Sequence, residues 1–391
     1  MNFKYKCIEC GKEFEGNKLI YVCDICSKQQ IKGDKTRGVL KIIYDYKDNA
    51  QVKKIFEDRK SPRNIYKYLP MLPVENPTHI SKLAVGNSTI YEHQEEEVFL
   101  FDDTRNPSCS YKDRASILVA AKALDFKKHV IVAASTGNAA SSMACISASI
   151  SKLSCILCVP ETAPEAKIVQ MLMFGAKVEK VKGSYDDAFE YAIELSDKHG
   201  YYNRNTAYNP FTVEGKKTSA LEIFDFFNGK IPDYVFVPVG DGVIISGIYK
   251  GFEDLINFGL LEKMPVIVAC QAEGSSVIAR ALENNGKITN QPGAATVADS
   301  INVQAPRNSI MAVDYLTKYK GEAVILTDSQ IMEAEVKLAR NTGVFAEPAA
   351  SCAYAGFLKL KQTGRISEKR SIVMLTGNGL KDIESAKKAV K

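Results

Sequence analysis

Lys112 lies in the run Asn106-Pro107-Ser108-Cys109-Ser110-Tyr111-Lys112-Asp113-Arg114, where a strand gives way to the start of a helix. A lysine there is electrostatically misplaced, because a helix N-terminus carries partial positive charge and favours anions. That placement, together with burial, lowers the pKa of the amine, and a neutral amine is what Schiff-base chemistry needs. On its residues alone, an exposed structural lysine is the simpler account of the position. Three further segments share one design, in which an apolar strand ends, small residues form a loop and a helix begins. They carry Ser135, Thr136, Gly137 and Asn138; Gly240, Asp241, Gly242, Val243 and Ile244; and Thr376, Gly377, Asn378 and Gly379. Helix starts after such loops present free N–H groups to anions, and open α/β sheets bind ligands at strand carboxyl ends. Tight-turn packing explains any one of these loops; together they suggest a site assembled from several strand ends.

Cys7-Ile8-Glu9-Cys10 and Cys23-Asp24-Ile25-Cys26 form a second constellation. Each pair can offer two thiolates from one knuckle, and Cys7, Cys10, Cys23 and Cys26 together complete a tetrahedral zinc site with no open position. A unit this small buries too little apolar surface to fold alone, so a structural zinc would supply its folding free energy. The other reading is four ordinary reduced cysteines.

The elements that must position these groups follow from the apolar pattern. Residues 1–35 read as a zinc-ribbon-like unit. Residues 36–95 read as irregular, broken by Pro62, Pro70, Pro73 and Pro77. Residues 96–391 read as a catalytic region with a smaller subdomain at about 112–205. From residue 97 onward short apolar strands alternate with amphipathic helices, which predicts an α/β fold of two doubly wound parallel-sheet domains. Strands are expected at 97–102, 129–134, 154–159, 176–182, 233–239, 264–270 and 371–375. Helices are expected at 112–125, 139–150, 164–174, 184–199, 244–257, 275–285, 328–341, 347–362 and 380–390.

The chain has 391 residues, too many for one hydrophobic core. It has 51 basic against 46 acidic residues, spread evenly apart from Lys387, Lys388 and Lys391, and no polybasic tract of the kind that grips nucleic acid. No apolar run approaches the roughly 20 residues needed to cross a bilayer. The first seven residues lack the apolar core of a signal peptide, so a cytoplasmic protein is expected. A small-molecule substrate and a homodimer are expected, with no nucleic-acid or membrane partner.

The segments Pro-Ser-Cys-Ser-Tyr-Lys-Asp-Arg (107–114), Ser-Thr-Gly-Asn-Ala-Ala (135–140) and Thr-Gly-Asn-Gly-Leu-Lys-Asp (376–382), in this order, resemble the threonine synthase branch of fold-type II pyridoxal 5'-phosphate (PLP) enzymes. Val85-Gly86-Asn87-Ser88-Thr89, Asn209-Pro210 with Glu214-Gly215-Lys216-Lys217-Thr218, and Ala346-Glu347-Pro348-Ala349-Ala350 extend the likeness, which runs from about residue 60 to the end. The resemblance implies that Lys112 holds PLP and shuttles the proton at the substrate Cα. It implies that Asn138 bonds the cofactor's phenolic oxygen, that Gly240, Asp241, Gly242, Val243 and Ile244 hold its phosphate through backbone N–H groups, and that Thr376 meets the pyridine nitrogen. A neutral hydroxyl at that nitrogen steers the chemistry to elimination and replacement. Ser135 and Thr136 would bind the substrate carboxylate.

Threonine synthases carry Asn-Ser-x-Asn-Pro-x-Arg, whose Asn, Ser and Arg grip the phosphate of O-phosphohomoserine. Here Thr206, Ala207 and Thr212 stand at those positions, which removes a charge-assisted contact, and Lys216 is the best local replacement. The changes predict weak turnover of O-phosphohomoserine. Asp241 is an odd neighbour for a phosphate, and its carboxylate is expected to turn to a cation or a backbone donor. The activity implied is a carbon–oxygen lyase forming threonine and phosphate. The alternatives are a paralogue acting on another amino acid, by serine or threonine deamination or a cysteate-synthase-like exchange, and an inactive zinc-ribbon protein that binds nucleic acid.

Overall fold

The computed structural model describes residues 2–47, 50–163 and 165–390. Pro164, at the expected start of one helix, and Lys391, of the C-terminal lysine cluster, lie outside the described residues, as does Met1. Three sheets organise the rest. The first joins β1 (Phe3–Cys7), β2 (Glu13–Glu15) and β3 (Leu40–Tyr44) in the antiparallel order β2-β1-β3. The chain then supplies β4 (Thr89–His93) and β5 (Val98–Asp102), and next the four strands of a small sheet. These are β6 (Val130–Ala134), β7 (Ser154–Pro160), β8 (Lys177–Val181) and β9 (Tyr202–Asn203), all parallel in the order β8-β7-β6-β9. Last come β10 (Tyr234–Pro238), β11 (Val266–Ala272), β12 (Glu322–Leu326) and β13 (Ser371–Leu375). With β4 and β5 they make a six-stranded sheet ordered β12-β11-β10-β13-β5-β4, parallel except for the edge strand β4.

Both α/β sheets are covered on two faces, as their continuous apolar strands require. In β10, Val235 and Val237 join one core with Ile245 and Ile248 of helix Val243–Asn257, while Phe236 joins another with Tyr354 and Phe357 of helix Pro348–Gln362. In β6, Ile131 and Ala133 face the first core, and Val132 and Ala134 pack with Phe189 of helix Tyr185–His199. The strand order reverses beside β6 and beside β10, so the loops after both open at topological switch points, where such sheets bind ligands.

Three expectations need correction. The N-terminal unit does not stop at residue 35, because β3 closes its sheet by pairing along the whole of β1. Residues 36–95 are not all irregular, since they contain β3, helix Ala50–Glu57 and β4. The expected helix 380–390 is broken: Gly379–Lys381 is a 3₁₀ turn, and Asp382 then caps helix Ile383–Ala389 by accepting from the Ser385 N–H.

Candidate active site

Lys112 is the residue preceding helix Asp113–Asp125, and its carbonyl accepts from the N–H groups of Ala115 and Ser116 at 3.1 Å. The segment is tied to the third loop, because the Tyr111 N–H donates to the Thr376 carbonyl at 2.9 Å. It is also tied to helix Phe211–Lys216, because the Tyr111 hydroxyl donates to the Lys216 carbonyl at 2.8 Å. One turn on, the buried Arg114 donates to Asp103 at 2.6 and 2.8 Å and to Glu222 at 2.7 Å, which locks the helix start. These bonds fix the backbone of Lys112, whose half-buried side chain lines the cleft. Burial pushes its pKa down; Glu347 opposes that most, followed in order by the cation of Arg204, which adds to it, and the carboxylate of Asp241, which resists it.

Gly240 to Ile244 form the loop after β10 and the start of helix Val243–Asn257. Gly242 has φ +87°, the left-handed region where a side chain is strained, and a Cβ there would lie 2.9 Å from that of Ala312. The N–H groups of the helix's first turn have no intrahelical acceptors and point out of its end. Asp241 behaves as its oddness demanded: Oδ1 accepts from the Arg307 N–H at 3.0 Å, and the Asp241 carbonyl accepts from the Asn308 N–H at 3.0 Å.

The loop after β6 leads through Ser135, Thr136 and Gly137 into helix Asn138–Ala148. Asn138 Nδ2 donates to both carboxylate oxygens of Glu347 at 3.0 Å and to the Ser300 hydroxyl at 3.2 Å. Thr376, almost fully buried, follows β13 directly.

A cleft of about 520 Å³ brings these groups together. Lys112, Ser135, Thr136 and Asn138 line it from one side of the chain's order, and Lys216, Thr376 and the whole run from Gly240 to Ile244 complete it. Thr206 lines it too. Thr212 does not; it is buried in its helix and its hydroxyl donates to the Asn209 carbonyl at 2.7 Å. Arg204, Tyr185, Arg307 and Glu347 also line the cleft, in roles the sequence reading did not assign. Glu347 was visible within a motif, but only its bond to Asn138 gives it a part. Arg204 follows the two-residue strand β9, too short to be read from periodicity.

The four N-terminal cysteines converge as well. Their sulfurs lie within 4.8 Å of one another, with Cys7 to Cys26 at 3.8 Å and Cys10 to Cys23 at 3.7 Å. A tetrahedral zinc with Zn–S bonds of about 2.3 Å places its sulfurs about 3.8 Å apart, so the donor set fits that ion. This unit braces one wall of the cleft. The Tyr21 hydroxyl accepts from the Asn203 N–H at 2.8 Å, the Tyr21 ring stacks on Tyr208 at 5.0 Å, and Tyr44 of β3 bonds Glu214.

This is the architecture of an enzyme that binds a phosphorylated cofactor between two α/β sheets. A family profile described as "Pyridoxal-phosphate dependent enzyme" matches residues 74–377, and the chain belongs to that family. It is 35% identical to the threonine synthase of Methanocaldococcus jannaschii over 98% of this chain and 94% of that protein. With the threonine synthase of Methanosarcina acetivorans it shares 32% over 97% and 92%. Among solved structures, the processed threonine deaminase isoform 2 of Solanum lycopersicum superposes with a TM-score of 0.69 at 17% identity, over 95% of this chain and 98% of that one. Maize serine racemase gives 0.67 at 18% identity, over 78% and 91%. At such identities the structures speak for the fold, and they agree with the fold class read from the sequence.

Proposed function

We propose that this enzyme converts O-phosphohomoserine to threonine and phosphate, with PLP held on Lys112. The observation that carries the reading is the convergence of Lys112 with three strand-end loops in one cleft, in a chain that aligns with threonine synthases along nearly their whole length. When bound, PLP supplies an electron sink for the pair left at Cα after its proton is removed. The chain's own residues do the rest. The Lys112 amine, kept towards its neutral form by burial, takes and returns the proton at Cα. Backbone N–H groups from Gly240 to Ile244 hold the cofactor phosphate at a helix start. Ser135, Thr136 and the first turn of helix Asn138–Ala148 hold the substrate carboxylate. Thr376 offers a neutral hydroxyl to the ring nitrogen. Asn138 meets the phenolic oxygen after its amide leaves Glu347.

The net change balances: the C–O bond at Cγ breaks and phosphate leaves, Cβ gives up one proton and Cγ gains one, and water supplies the hydroxyl at Cβ and the proton that accompanies phosphate. The expectation of weak turnover rested on Thr206, Ala207 and Thr212; of these Thr206 lines the cleft, the Thr212 hydroxyl turns to the Asn209 carbonyl, and Arg204 lines the cleft beside Thr206. Incubation with O-phosphohomoserine should yield threonine and inorganic phosphate in equal amounts. Formation of 2-oxobutanoate and ammonia instead would assign the chain to deamination.

The proposal includes a structural zinc on Cys7, Cys10, Cys23 and Cys26, supported by their sulfur spacing. It also includes a homodimer in the cytoplasm. Val169, Leu172 and Met173 are exposed on one helix that Gln170 ties to Lys381, next to the exposed Leu380, and such a patch suits a second copy. Sedimentation should then read two chains per particle. Among the described residues no helix is long and apolar enough to cross a membrane.

A further inference from the structure

Arg204 leaves the edge strand of the small sheet with its backbone fixed, the N–H donating to the Val132 carbonyl at 2.8 Å. Its side chain is 1% exposed and lines the cleft. Nη1 donates to Thr206 Oγ1 at 3.2 Å, while Nε and Nη2 are buried without a partner among the described residues. Lys216, 2% exposed, lines the same cleft. Two buried cations in one cleft are costly, and they also repel each other. Burial first, and then each other's charge and that of Lys112, push Lys216 well below the ordinary lysine range; burial pulls Arg204 down to about 10. The groups that resist are Asp241 for both, with Tyr185 and Cys155 beside Arg204, and Asp241 is already bound to the Arg307 N–H.

The cleft must meet three anionic groups under the proposed reaction. The loop from Gly240 to Ile244 serves the cofactor phosphate, and Ser135 and Thr136 serve the substrate carboxylate. We infer that Arg204 and Lys216 form the subsite for the phosphate of the substrate, so that the guanidinium comes from position 204 on the small sheet rather than from position 212. Thr206, which already accepts from Arg204, aims that guanidinium. The inference rests on the O-phosphohomoserine reading and gives its leaving group a place.

The test uses the holoenzyme, with O-phosphohomoserine as substrate and inorganic phosphate as competing probe. Arg204→Gln and Lys216→Gln should each raise the KM for O-phosphohomoserine and the inhibition constant for inorganic phosphate by about ten- to a hundredfold. The affinity for PLP should stay near that of the wild type, and Arg204→Lys should recover part of the loss. Thr212→Val should change neither constant. If Arg204→Gln loses PLP and leaves phosphate inhibition unchanged, these cations serve the cofactor and the inference is overturned. Wild-type enzyme that forms threonine while Arg204→Gln keeps its KM also overturns it, and leaves the proposed function standing. Wild-type enzyme that binds phosphate through Arg204 yet forms no threonine would retire the substrate and keep the anion subsite. PLP content and far-ultraviolet circular dichroism show that each variant is folded.

Discussion

Lys112 sits under opposing pushes, with burial lowering its pKa, Glu347 and Asp241 resisting, and the cations of Arg204 and Lys381 adding to the burial. Burial is the largest of these and favours the neutral amine, so borohydride reduction of the holoenzyme should fix the cofactor in the peptide containing Lys112. Lys112→Ala should lose the yellow covalent complex; a variant that keeps it would refute the assignment. Asp241 makes an opposite kind of prediction. Its Oδ1 faces the Arg307 N–H, so Asp241→Asn should leave PLP affinity equal or better, measured by absorbance titration. Lys216 adds a pH dependence. Its ammonium is lost as pH rises through a pKa that lies well below the usual lysine range, so kcat/KM for the phosphorylated substrate should fall on the alkaline side. Lys216→Met should lower kcat/KM overall and remove that limb. An alkaline limb that persists unchanged in the variant would belong to another group.

The elements divide by how visible their periodicity is. Strands buried on both faces read as apolar runs, and the expected 371–375, 154–159 and 176–182 lie within a residue of β13, β7 and β8. Helix Thr218–Phe226 was not read, because eight of its nine residues, Thr218 to Asp225, are buried and it has no polar face to set a 3.6-residue period. Helix Ser309–Lys318 and β12 lie between the expected helices 275–285 and 328–341, where no element was expected. The same split runs through the site. The three loops stood out because small residues after apolar strands mark ligand loops, whereas Lys112 gained its role only from the resemblance of its motif. Arg204 and Glu347 were not assigned roles, because only the fold brings them to the cleft. Gly242 is the element-scale test: Gly242→Ala forces a Cβ into φ +87° and against Ala312. Strain of about 1–2 kcal/mol is expected, read as a lower thermal midpoint together with weaker PLP binding. An unchanged midpoint and affinity would mean that the loop start is not set by this residue.

At the scale of the whole molecule, the N-terminal sheet is part of the wall of the cleft. Tyr21 holds Asn203, one residue before Arg204, and Tyr44 holds Glu214, two residues before Lys216. Metal analysis should find about one zinc per chain. Strong chelation should disorder the N-terminus first and raise the KM for O-phosphohomoserine more than it weakens PLP binding. A quadruple Cys→Ser variant that retains stoichiometric zinc would place the ligands elsewhere. The most direct test of the account as a whole is steady-state turnover of O-phosphohomoserine, following threonine and phosphate together, beside serine and threonine as rival substrates. The account predicts a kcat/KM in the usual enzyme range, roughly 10⁴ M⁻¹s⁻¹ or more, and at least tenfold above deamination of either rival. Negligible threonine formation alongside efficient deamination would contradict it.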